Sequence, residues 1–258
     1  MPHLTLSKRF EFCAAHRLYN EDWSKEKNIE YYGAESFSPG HGHNYTLHTL
    51  FTGPMDPRTG MVKELSQVKT FVNKQLLDHV DHYFLNEFPE FKKIVPTTEA
   101  FCAYLFAKAQ PLFTQNGLRL EACHLIEHPE KTVWYPENLY SPYQNEDHSH
   151  TFYLIASHSL YNPSLTPEEN KDCFGKCTRF HGHNFTLTFT TLGPITPYLS
   201  RIEAILAPLQ YRSLCESIPM PSCENVIDYF WKKSAEIMPL TMIKLCETPS
   251  NTFILRKS

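Results

Sequence analysis

The sequence predicts an α+β protein built from two tandem modules, each an antiparallel four-stranded sheet with two helices on one face. Three observations support this. A short signature occurs twice, as Phe12-Cys13-Ala14-Ala15-His16 with His41-Gly42-His43-Asn44-Tyr45 and as Leu154-Ile155-Ala156-Ser157-His158 with His181-Gly182-His183-Asn184-Phe185. Around the signatures apolar residues alternate, the period of a half-buried strand. Downstream of the first HGH the period becomes that of a helix.

In chain order, Leu4 to Leu18 alternates as a first strand, and Asn44 to Gly53 continues the HGH strand with Tyr45, Leu47 and Thr49 on one face. Pro54 to Gly60, with two prolines and a glycine, reads as a turn. Leu65, Val68, Val72, Leu76 and Val80 form a helical stripe over 65–80. Thr97 or Thr98 can cap a second helix through Phe113, and 118–129 with 132–135 supply two closing strands. Residues 1–138 therefore make a first module, and the polar, aperiodic stretch 139–150 a linker. In the second module, 151–258, the order repeats: strands at 151–160 and 183–192, helices near 198–208 and 222–237, strands near 242–248 and 251–257.

Composition narrows the function. With 24 basic and 28 acidic residues, the net charge of −4 supplies no bulk field for nucleic acid or an anionic membrane. No apolar stretch reaches a membrane span, and the first residues lack a charged segment followed by an apolar one, so a cytoplasmic protein is expected. In that compartment the eight cysteines are expected to stay reduced, with Cys13, Cys102 and Cys123 reading as core thiols.

The chemistry lies in the histidines. On a strand, the two imidazoles of an HGH share a face, and a histidine from the upstream strand can complete a triad. His16, His41 and His43 form one such set, and His158, His181 and His183 a second. Three neutral imidazoles with an open fourth position describe a catalytic zinc site.

These motifs resemble the family of 6-pyruvoyl-tetrahydropterin and 6-carboxy-tetrahydropterin synthases across nearly all of both modules. The stretch Cys177-Thr178-Arg179-Phe180-His181-Gly182-His183-Asn184 is similar to the family's cysteine-plus-HGH motif, and Asp81-His82-Tyr83-Phe84-Leu85-Asn86 to its Asp-His pair. Pro96 to Glu99 and Pro221 to Glu224 resemble its second helix start, which brings Glu99 and Glu224 in as candidate substrate contacts. Glu127 and Glu247 resemble its pterin-binding glutamate, which holds the aminopyrimidine edge through two hydrogen bonds. The resemblance implies the tunnelling fold, a ring of modules closing a barrel, a homotrimer for a fused pair, zinc as cofactor, and 7,8-dihydroneopterin triphosphate as substrate. Lys176 and Arg179 are candidates for its triphosphate.

Each module departs from the pattern, and the departures are complementary. Glu35 stands at the cysteine position of module one, which keeps Asp81-His82, whereas module two keeps Cys177 and has Gln210-Tyr211 for the pair. In the family the cysteine and the pair meet across an interface, so one working site shared between module types is expected. There Cys177 would be the base, Asp81 would orient His82, and His82 would shuttle a proton. Asp78-His79 is a rival for the same alignment, and Leu85-Asn86 favours Asp81-His82. Cys177 lies four residues before His181 and Glu35 six before His41. The shorter spacing resembles the bacterial 6-carboxy enzymes of queuosine synthesis. Glutamate at the cysteine position resembles enzymes that form 6-hydroxymethyl-dihydropterin, which makes Glu35 a second catalytic candidate, and a pterin-binding relative without catalysis is a further alternative.

Overall fold

The computed structural model describes residues 2–136 and 146–257, which divide into two compact units. One gathers the described residues of the ranges 8–51 and 66–138; the other those of 1–7, 52–65 and 139–258.

In module one, β1 (His3–His16), β2 (His41–Thr52), β4 (Arg119–His128) and β5 (Lys131–Tyr135) lie in the order β5-β4-β2-β1. The two-residue β3 (Tyr83–Phe84) pairs in parallel with β1 through Ala14 and Ala15. Alternation on β2 buries Tyr45, Leu47 and Thr49 together. Against that face packs α3 (Thr98–Gln115), capped by the Thr97 hydroxyl, which accepts from the Ala100 N–H. Phe101, Leu105 and Phe113 of α3 are wholly buried; Phe101 meets the ring of Tyr45 edge-on, and Phe113 meets Phe51 at 5.1 Å.

The module-two unit repeats this scheme. Its strands β6 (Ser149–His158), β7 (His181–Thr191), β8 (Leu240–Thr248) and β9 (Asn251–Arg256) run in the order β9-β8-β7-β6. From Ser149 opposite Thr190 to His158 opposite His181, β6 and β7 pair without a slip. The helices α5 (Leu199–Leu206) and α6 (Cys223–Ala235) turn Ile202, Leu206, Val226, Ile227 and Phe230 inward. The turn at 54–60 belongs to this unit. Ser222 Oγ donates to the Gly60 carbonyl at 2.6 Å, and Asn162 Nδ2 to that of Arg58 at 2.7 Å. Gly60 has φ +64°, and a Cβ there would lie 2.5 Å from Asn225 Nδ2, so only glycine fits.

Several local differences from the sequence reading have identifiable causes. The helical stripe read at 65–80 is helical in α2 (Leu65–Gln75) and then tightens into a 3-10 turn over Leu77–His79. That turn brings the His82 N–H to the Cys13 carbonyl at 2.6 Å. β6 begins at Ser149, inside the predicted linker, whose residues up to 145 lie outside the described residues. All eight cysteines are free thiols, Cys102 and Cys123 in the core as expected; Cys13, also expected there, is only half-buried.

Two short helices, α1 (Lys25–Tyr32) and α4 (Pro167–Phe174), were not anticipated, because neither carries an apolar stripe. A buried asparagine holds each. Asn170 accepts from the Asn162 N–H and donates to the carbonyls of Asn162, Leu165 and Thr166; Asn28 is placed likewise on Asn20 and Ser24. The turn after each helix ties to the strand end, Leu18 N–H to the Glu35 carbonyl at 2.9 Å and Leu160 N–H to that of Cys177 at 2.8 Å. Asn170→Ala strips partners from buried backbone groups and is expected to cost about 2–3 kcal/mol. A melting curve should fall by roughly 5–10 °C, with faster thiol labelling at Cys177. An unchanged melting curve would show that this asparagine does not hold the loop.

Candidate metal centres and active-site residues

The strand registers assemble two histidine clusters with nearly the same geometry. Ring centroids of His16, His41 and His43 lie 4.6 to 5.2 Å apart, and those of His158, His181 and His183 4.6 to 5.3 Å. In each triad one nitrogen per residue falls within 4.8 Å of the others. His16 Nδ1 donates to the Pro96 carbonyl and His158 Nδ1 to that of Pro221, both at 2.8 Å. This fixes the tautomer that leaves Nε2 as a lone pair facing the cluster.

The donor set fits a zinc ion. Nε2 of His43, His158 and His183 is buried without a hydrogen-bond partner, and Nε2 of His16 and His41 face each other at 3.1 Å. Unpartnered buried nitrogens are costly unless a cation lies among them. Burial holds His16, His43, His158 and His183 below the usual imidazole range, in the neutral ligand form.

Beside each triad stands a glutamate from the third long strand. Glu127 is 1% exposed; its Oε1 lies 3.5 Å from His43 Nε2 and 3.4 Å from Lys131 Nζ, and its Oε2 accepts from the Thr98 hydroxyl. Burial pushes its carboxyl up, but Thr98, Lys131 and the histidines outweigh that and hold it below the ordinary range. Glu247 is 18% exposed, 3.6 Å from His183 Nε2, and accepts from Cys223 Sγ at 3.3 Å and Asn251 Nδ2 at 3.2 Å. Thr98 and Cys223 hold the same position at the helix start of their modules.

The remaining candidates differ between modules. Glu35 Oε2 lies 3.4 Å from Lys131 Nζ. Cys177 is half-buried; burial, then Glu247 and Glu64, raise its thiol above the ordinary range, so its ionisation needs a cation nearby. Glu224 is buried and accepts from the Val62 N–H at 2.9 Å, and burial takes its carboxyl up to about 7. Its counterpart Glu99 is exposed, as are Lys176 and Arg179.

Asp81 and His82 sit against β1. Asp81 Oδ1 accepts from the Cys13 N–H at 2.8 Å and lies 3.0 Å from His82 Nδ1, while His82 Nε2 lies 3.4 Å from Cys13 Sγ. Cys13 is therefore no core residue: its thiol, the His82 imidazole and the Asp81 carboxylate form one cluster, with Sγ also 3.6 Å from Asp81 Oδ1. Burial and the Asp81 carboxylate raise the Cys13 thiol, so by itself it stays protonated. Asp78 and His79 are exposed on the preceding turn. In module two the backbone is the same with different chemistry. Gln210 Oε1 accepts from the Ile155 N–H at 2.8 Å, and the Tyr211 N–H donates to the Ile155 carbonyl at 2.7 Å. His82 and Tyr211 both hold a left-handed conformation, φ +65° and +59°, which a non-glycine residue keeps only when its surroundings impose it. An open cleft of about 480 Å³ beside His183 is lined by Tyr211 and Arg212, and Glu247 does not line it.

Sequence reasoning missed Lys131, Asn251, Thr98, Cys223 and the role of Cys13. The repeat carried the signal for the first four, since Lys131 and Asn251 each follow the strand glutamate by four residues and Thr98 and Cys223 each precede a helix glutamate. For Cys13 the sequence carried no signal.

Residues 5–138 and 148–258 each match the family model described as 6-pyruvoyl tetrahydropterin synthase. A putative 6-pyruvoyl tetrahydrobiopterin synthase of Caenorhabditis elegans is similar at 38% identity, over 52% of this chain and 94% of that protein. A 6-carboxy-5,6,7,8-tetrahydropterin synthase of Synechocystis is similar at 29% identity, over 40% of this chain and 72% of that protein. Among solved structures, that of C. elegans 6-pyruvoyl tetrahydropterin synthase is similar at 33% identity with a TM-score of 0.48, covering 53% of this chain and 97% of that chain.

Proposed function

From the premise that this chain belongs to the 6-pyruvoyl tetrahydropterin synthase family, once in each module, we propose that it is a zinc-dependent lyase acting on 7,8-dihydroneopterin triphosphate. The observation that carries this reading is the second triad, with its locked tautomer and orphaned nitrogens, next to Glu247 and in the same unit as Cys177. His158, His181 and His183 would hold the zinc, which when bound acidifies a substrate hydroxyl and the adjacent C–H. Glu247 would orient the substrate by accepting two hydrogen bonds from the aminopyrimidine edge. Cys177, as thiolate, would take the proton from the side-chain carbon. His82, oriented by Asp81, would return a proton to the substrate, from an adjoining first module. Such sharing accords with a ring of modules, which a fused pair would reach with half as many chains as single modules need, as a homotrimer. Lys176 and Arg179, both exposed on the turn around Cys177, would meet the triphosphate.

After loss of triphosphate, addition of one water at the side-chain carbon next to the ring and cleavage of its bond to the following carbon would release acetaldehyde and the 6-carboxy product, the step of queuosine synthesis. The four-residue spacing from Cys177 to His181 favours it. A second reading, release at the 6-pyruvoyl stage, is favoured by the name of the relative at 38% identity over that at 29%. Formation of 6-hydroxymethyl-dihydropterin by Glu35 has less support, because Lys131 engages that carboxylate. Mass spectrometry of the products formed by the zinc-loaded protein decides among them. The 6-carboxy compound with acetaldehyde is expected; the 6-pyruvoyl compound alone would replace the first reading with the second, and no turnover would leave a pterin-binding protein.

A further inference from the structure

The two modules treat their strand glutamate differently, and the difference lies in one residue at the start of the last strand. Lys131 opens β5 and Asn251 opens β9, each four residues after its glutamate. Lys131 places its ammonium 3.4 Å from Glu127 and 3.4 Å from Glu35, so one cation balances two carboxylates while only 26% exposed. With Thr98 on the other oxygen, both oxygens of Glu127 are engaged by side chains of its own module. Glu247 instead receives the neutral Cys223 and Asn251 side chains, and no ion pair with a lysine or arginine forms at it among the described residues.

We infer that Lys131 occupies the pterin-recognition edge of module one, so that each chain binds one pterin, at Glu247, and the residue at position 131 or 251 decides which module is open. This rests on the reading of the strand glutamates as pterin carboxylates. The edge of a 2-amino-4-oxopteridine offers two neutral N–H donors. To reach Glu127 they must displace an ammonium and leave it, half-buried, with one carboxylate in place of two, an exchange of a charged for a neutral partner. Two-point recognition at Glu247 displaces only an amide and a thiol, whose hydrogen bonds are the weaker neutral kind. The expected difference in affinity between the modules is at least about a hundredfold. The same ion pair restrains Glu35, so a closed pterin edge and a quiet carboxylate at the cysteine position arise from one side chain.

The test is the binding stoichiometry of 7,8-dihydrobiopterin, which lacks the triphosphate, on the zinc-loaded full chain by isothermal titration. One pterin per wild-type chain is expected. Lys131→Asn, which gives module one the residue of module two, should raise this to two, and Asn251→Lys should lower it to none. The exchanges act in opposite directions, so misfolding of one variant, seen as loss of zinc or of the circular-dichroism spectrum, leaves the other as the test. Two pterins per wild-type chain would overturn the inference while leaving the pterin reading intact, as would a folded Lys131→Asn protein that stays at one or a folded Asn251→Lys protein that still binds. No binding by wild type or by either variant would overturn the pterin reading itself, and the inference with it.

Discussion

Cys177→Ser is expected to lower kcat about a thousandfold with KM within a few-fold, because a hydroxyl is a far poorer base than a thiolate and the substrate contacts at Glu247 remain. Asp81→Asn is expected to cost about a hundredfold or more, since a neutral amide in the 3.0 Å contact does not stabilise a protonated His82 as the carboxylate does. Thiol and relay lie in different units of one chain, so the informative measurement is the double variant. If they serve one reaction at one site, the double variant should be no slower than the worse single, the behaviour of residues that act as a unit. Losses that multiply would end the shared-site reading. Cys13 supplies the control, because its Sγ already lies 3.4 Å from His82 Nε2. Cys13→Ser is expected to cost less than about tenfold; a thousandfold loss there, with Cys177→Ser mild, would make Cys13 the base.

The second large effect concerns metal. Zinc content by mass spectrometry is expected to be two ions per chain, because each triad holds its upstream histidine in the ligand tautomer and contains a buried ring nitrogen without a hydrogen-bond partner. His183→Ala should reduce it to one and abolish turnover, by a factor of about a thousand or more, since the zinc and its acidifying effect leave together. His43→Ala should also reduce it to one, yet leave most turnover, because the proposed chemistry belongs to the second triad. Chelation of both ions should lower the melting temperature: a ligand at a thousand times its Kd contributes about 4 kcal/mol to the folded state. A wild-type chain with one zinc would show that one triad is a histidine cluster only. Equal loss of turnover in the two variants would place chemistry, or the integrity of the site, in both.

The history of individual residues shows how much could be read in advance. The HGH pairs were legible because a strand repeats every two residues, so His41 and His43 share a face; that the upstream His16 could complete the triad was an expectation from the repeat, and the pairing of β1 with β2 realises it. The equivalence of Glu35 to Cys177 was legible from the repeat, and the matching backbone bonds to Leu18 and Leu160 agree with it. The helices α1 and α4 were not legible, since a buried asparagine replaces an apolar stripe in holding each to the strand end. Cys13 read as a core residue from its apolar neighbours in sequence, and only the turn at 77–82 sets Asp81 and His82 against it.

By itself, then, the sequence determined the duplication, the fold class and the HGH pairs, because these depend on local periodicity and on spacing within one strand, while the complementary losses were legible only through the family resemblance. Only the tertiary structure decided the partners of those groups: the Pro96 and Pro221 carbonyls that set the tautomers, Lys131 between Glu35 and Glu127, and Cys13 on His82. Each is a contact between residues distant in the chain or across a strand turn, where charge and hydrogen bonding depend on how packed elements meet and leave no period to read.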